Sequence, residues 1–313
     1  MKKTITTIAL VILVVGLTIT SCKKKKTEET TPVTTQADET STFSQQSSDV
    51  TTANSSADMS MEDAENAIAP SSLSGFRTMA YAGICGATVD TSLISIKKIT
   101  INYNGNSCDG SRFRTGSISL QLVAGTQWKN QNSVLLITYT NFKVTVLSNN
   151  KSTTLNGSHY ITNVTGGIVA HIGLSPNPST IVRKIRSNNM NITFDDNTVR
   201  TWSVNRTKTW TGNAGSATGL SISADSANVE TWGTNRAGNP FTTMINSPIV
   251  VNSTCGWFAP VSGKKTHNFN SRISTITFGT DASGNVVTTG CPTHYILNWT
   301  SLQGVAKSYV GTY

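Results

Sequence analysis

Residues 76–313 predict an all-β fold, an antiparallel sandwich or a barrel-like sheet system, built as one body or as two similar halves. Three observations carry this expectation. The segments are short and rich in Thr, Ile, Val and aromatic residues. Clusters of Asn, Gly, Asp and Ser separate them. No long stretch repeats its apolar residues at the helical period. A region of this length is long enough to bury a real core.

The chain opens with Lys2 and Lys3, an apolar run from Ile8 to Leu17, and then Ile19-Thr20-Ser21-Cys22. The run is about half of the roughly 20 residues that a membrane-spanning helix needs, and it fits the apolar part of an export signal. The expectation is a lipoprotein signal peptide over residues 1–21, cut before Cys22. The Cys22 thiol then becomes a diacylglyceryl cysteine, with palmitate-like chains entering the lipid bilayer. Residues 22–75 are dominated by Thr, Ser, Asp, Glu, Gln and Ala. Apolar residues are too sparse there to offset the entropy of ordering, so the segment reads as a disordered tether. A short helix from Met59 to Ile68 is its one local exception. Lys23–Lys26 follow the anchor, where each cation beside anionic headgroups contributes about 1 kcal/mol.

Beyond the tether the strands follow in turn. Ile99 to Tyr103 alternates. Ile118, Leu120 and Leu122 share one face, with Ser117, Ser119 and Gln121 on the other. Val134 to Leu147 reads as one long strand, or as two meeting near Asn141. Ser148–Lys151 and Asp195–Asn197 have the composition of hairpin turns. Three segments share a strand-into-turn pattern: Thr100–Asn104, Asn191–Asp195 and Thr275–Gly279. Cys85 and Cys108 bracket the first and Cys255 and Cys291 the third. Four cysteines in an exported domain favour two disulfides, and three pairings are open. The repeat selects Cys85–Cys108 and Cys255–Cys291. Zinc is the rival, but paired C-x₂₋₄-C spacing is missing.

Charge divides the chain. Nine of the 16 acidic residues lie in the tether. From Phe76 onward there are 19 Lys and Arg against seven Asp and Glu, a net of +12. Such a field favours an anionic glycan or lipopolysaccharide phosphate as partner. Nucleic acid is not expected, since no helix-turn-helix, zinc-finger or RNP-like pattern occurs. The four histidines are scattered, and no metal-ligand pair, nucleophile elbow or phosphate-binding Gly loop appears. No cofactor and no catalytic residue is therefore assigned. Asp195-Asp196 is ordinary turn chemistry.

The segment from Thr198 to Trp210 places Arg200, Trp202, Val204, Arg206, Lys208 and Trp210 on one strand face. Rings that stack on sugars beside cations that pair with acids make Arg200, Trp202, Arg206, Lys208 and Trp210 the candidate ligand face. The bland alternative is a core edge, with Trp rings inside and cationic stems running past them.

The stretches Cys108–Ile118, Thr201–Trp210, Gly233–Thr242 and Cys255–Gly263 resemble uncharacterised lipoproteins of Bacteroidota, which share a Cys anchor, a low-complexity tether and an all-β domain. The resemblance implies a lipid-anchored place in the cell outer membrane and transfers no functional residue. Such proteins often carry acidic residues directly after the Cys, where this chain has Lys23–Lys26. The expected function is envelope binding of an anionic or carbohydrate ligand without catalysis. The alternatives are a structural or assembly role through protein contacts, or a hydrolase with an unrecognised site.

Overall fold

The computed structural model describes residues 36–75, 83–225, 227–257 and 259–313. The signal, Cys22 and Lys23–Lys26 lie outside the described residues. One long helix, α1 (Gln36–Ile68), precedes the strands β1 (Ala87–Asp90), β2 (Lys98–Asn106), β3 (Arg112–Ala124), β4 (Ser133–Val146), β5 (Ser152–Asn163), β6 (Thr180–Phe194) and β7 (Val199–Asn213). These are followed by β8 (Ser216–Ala224), β9 (Val229–Thr234), β10 (Pro240–Asn252), β11 (Pro260–Phe269), β12 (Arg272–Thr280), β13 (His294–Thr300) and β14 (Ala306–Thr312).

All the strands belong to one antiparallel sheet, an up-and-down meander in which sequence neighbours pair. β8 and β9 share the place between β7 and β10. β8 pairs with Arg206–Asn213 and with Ile249–Asn252, and β9 pairs with Ser203–Val204 and with Pro240–Met244. The expected all-β, barrel-like architecture is present as a single sheet, and the two ends are not separate sheets.

Alternation sets the faces. Ile118, Leu120 and Leu122 are buried, while Ser117 and Ser119 are only partly covered. Ser133–Val146 is one strand, and its expected break is a β-bulge at Asn141. Bulges recur on the neighbours, between Thr115 and Ser117, Asn156 and His159, and Ser187 and Met190. A bulge bends its strand and increases its twist, so a line of them across β3–β6 curls the sheet. Gly116 is required there. Its φ is +86°, and a Cβ would meet the Asn141 carbonyl oxygen at 2.1 Å.

The curled sheet wraps α1. Phe43 touches Phe269 of β11 and Trp299 of β13, Ser60 Oγ lies 2.8 Å from the Tyr139 hydroxyl of β4, and Asp63 accepts from the Tyr103 hydroxyl of β2 at 2.9 Å. Contacts from the second to the thirteenth strand require the helix to lie on the concave side. Most inward residues are apolar, with buried cations and a few hydroxyls and imidazoles among them, and outward positions such as Thr138, Ser158, Lys184 and Arg186 are polar. A membrane-spanning barrel carries its apolar band outside instead.

The compact unit runs from Gln36 to Tyr313. The reading of 22–75 as a disordered tether is thus corrected from Gln36 onward, and the expected Met59–Ile68 helix is the last third of a longer one. The ordering that α1 cannot supply alone comes from the sheet, which buries Phe43, Val50, Ala53, Ala57, Met61, Ala64, Ala67 and Ile68. Both expected disulfides are formed. Cys85–Cys108, with Cα atoms 5.1 Å apart, ties the entry of β1 to the β2–β3 turn. Cys255–Cys291, at 5.2 Å, ties the end of β10 to the β12–β13 connection.

Candidate functional site

The alternation read along β7 is correct, and the exposure expected of that face is not. Arg200, Trp202 and Arg206 are at most 1% exposed and Lys208 5%, while Trp210 is half-buried beneath the Lys208 ammonium. The candidate ligand face is corrected to an interior face covered by α1. Its cations need counter-charges there, and the helix supplies them.

Arg206 Nη2 and Lys208 Nζ reach Asp58 Oδ1 at 2.5 and 2.8 Å. Arg183 pairs with Glu65 at 3.1 Å, and Arg114 with Asp63 at 2.6 Å. Arg236, after β9, donates through Nε and Nη2 to both oxygens of Asp49 at 2.9 and 2.8 Å and through Nη1 to Asp196 at 2.9 Å. Within the sheet, Lys265 Nζ lies 2.7 Å from Glu230, which also faces Arg206 at 3.7 Å. Four carboxylates of the acidic segment therefore offset part of the inward positive charge of the sheet.

Burial and pairing compete at each group. Burial alone would raise the Asp58 carboxyl, but Arg206 and Lys208 outweigh it and hold the group below the usual range. At Asp63 burial wins over Arg114 and the group is raised. Burial also lowers Lys208 against the pull of Asp58, and brings the Arg200 guanidinium down to about 10, so it stays charged at neutral pH.

One accessible feature among the described residues is a groove of about 280 Å³ between one side of α1 and the ends of β3–β6. Its helical wall presents Ser48, Thr51, Thr52 and Ser55, one hydroxyl-bearing row at positions i, i+3, i+4 and i+7. The sheet wall adds Arg112, Lys151, Asn149, Asp195 and the Arg236 guanidinium, which lies over the Phe194 ring. Asp49 is spent on Arg236. Neither Arg112 nor Lys151 takes part in the ion pairs above. Asp196 caps the turn, accepting from the Thr198 amide at 3.0 Å, which confirms turn chemistry for Asp195-Asp196.

Arg112 and Arg114 share one face of β3. The structure sends Arg114 inward to Asp63 and the Cys85 carbonyl, and leaves Arg112 at the groove. Sequence reading missed the helical wall, whose signal was the hydroxyl spacing in a segment with few apolar residues. Among the described residues no cluster of three His, Cys, Asp or Glu is arranged to hold a metal ion. His159 instead meets Tyr139 at 3.2 Å, and His267 meets Thr243 at 2.8 Å. Comparison with protein-family models, with curated proteins and with solved structures found no match to this chain. What the molecule does is to be read from its groove and its interior charges.

Proposed function

We propose that this chain is a lipid-anchored protein of the outer membrane that binds an anionic or carbohydrate ligand, without catalysis, in the groove beside α1. The observation that supports the reading is the lining of that groove. A row of hydroxyls faces Arg112 and Lys151, neither of which forms an ion pair within 4.0 Å among the described residues. Hydroxyls and an amide suit sugar hydroxyls, and the two cations suit sulfate, phosphate or uronate groups. Asp195 on the same rim disfavours ligands whose charge sits beside it.

Calorimetric titration of the lipid-free protein with a sulfated oligosaccharide and its neutral counterpart tests the groove. An exposed charge contact contributes up to about 1 kcal/mol. Arg112→Ala/Lys151→Ala should therefore weaken the sulfated ligand by roughly tenfold, with a smaller loss at high salt. An unchanged affinity removes the ligand from this groove. The anchor is checked separately: Cys22→Ala should move the protein from the membrane to the soluble fraction, and retention on membranes would refute it.

A further inference from the structure

Arg200 differs from six other inward cations among the described residues. Arg114, Arg183, Arg206, Lys208, Arg236 and Lys265 each meet a carboxylate. The Arg200 side chain has no exposed surface, its guanidinium lies 4.2 Å from the centre of the Phe241 ring, and its Nε, Nη1 and Nη2 are all buried with no hydrogen-bond partner among the described residues. Asp49, whose charge acts on Arg200, gives both oxygens to Arg236. Buried polar groups in native proteins are satisfied in the great majority of cases, and an enclosed cation without a counter-charge is strongly destabilising.

The neighbourhood is polar in a patterned way. Phe241 is followed on the inward face of β10 by Thr243. Thr243 is paired in register with Thr231 on β9 and with His267 on β11, and His267 with Ser274 on β12. All four are buried, and the hydroxyls of Thr231 and Ser274 also have no partner. Hydroxyls can turn their protons toward an acceptor. Donors from a guanidinium and from this row thus occupy one part of the interior, beside the aromatic layer of Phe43, Phe241 and Phe269.

We propose that Arg200 is an internal anion site that holds one small monovalent inorganic ion of halide size as a fixed counter-charge. The sign follows from the unpartnered guanidinium. The size follows from complete enclosure, which leaves no route for a sugar or a phosphate ester. A single charge suits a single unpaired cation, since a divalent oxyanion would bring a larger desolvation cost than one guanidinium offsets. This site is separate from the groove, and Arg112 and Lys151 do not contribute to it.

Thermal unfolding at constant ionic strength, with gluconate replaced stepwise by chloride or bromide, tests the site. The unfolding midpoint of the native protein should rise with halide and saturate. It should rise equally in Arg112→Ala/Lys151→Ala, which separates this site from the groove. Arg200→Met, with an apolar side chain of similar length, should lose the response. Should that variant fail to fold, crystals of the native protein grown in bromide give the answer. An anomalous peak in contact with the Arg200 nitrogens supports the site; water alone there, or bromide only at the surface, overturns it.

Discussion

His159 and His267 are enclosed side chains whose titration the surroundings suppress. Burial pushes both down to about 3 from an ordinary value near 6.5, assisted at His159 by Arg206 and at His267 by Lys265. Between those values the unfolded chain binds protons that the folded chain refuses. Stability contributed by each imidazole is therefore complete above about pH 6.5 and is lost as pH falls toward about 3. Urea unfolding across this window should show stability falling with acidification, and His159→Gln or His267→Gln should each reduce the slope. A slope unchanged in both variants would show that the imidazoles are protonated while folded. These histidines looked merely scattered in the sequence, because their partners Tyr139 and Thr243 stand on adjacent strands, 20 and 24 residues away. The same limit applies to β7. Period-2 spacing shows which of its side chains share a face, but not what covers that face.

α1 shows why the cover was hard to see. Its buried positions include Phe43, Val50, Ala57 and Ala64, seven residues apart, and Gln46, Ala53, Ser60 and Ala67 between them. The spacing is that of a helical seam, written mostly in small residues. Small side chains carry little hydrophobic signal, so composition alone suggests disorder. They are needed where a helix is enclosed closely by a sheet, and Ala53 and Ala57 have no exposed surface. Ala57→Leu should therefore overpack the interior and lower stability by about 1–3 kcal/mol. Leu at the exposed Asn66 should change stability by no more than about 0.5 kcal/mol. Equal small effects in urea unfolding would mean that α1 does not occupy the interior. The acidic residues of this helix were legible as charge, and their destinations on separate strands and turns were not.

The whole molecule was legible in its periodic parts. The all-β class, the barrel-like option, the single long strand with its irregularity at Asn141 and both disulfides follow from local pattern and from cysteine spacing, and all are present. Curling of the sheet around a helix was not legible, because the concave side of a sheet this wide exceeds what its own side chains fill and the filler lay in a segment without strand or strong helix signal. The groove inherits that difficulty, since one of its walls comes from α1. The meander also has a consequence for timing. Every strand meets a partner made just before or just after it, but Phe43 must wait for Phe269 and Trp299, more than two hundred residues downstream. A chain synthesised from its N terminus therefore produces its future core first and its enclosure last. Hairpins can form as they emerge, while the earliest helix completes its packing only when β13 exists. Completion of the fold thus waits for β13, and a fragment that stops short of it leaves Phe43 without the Trp299 side of its pocket.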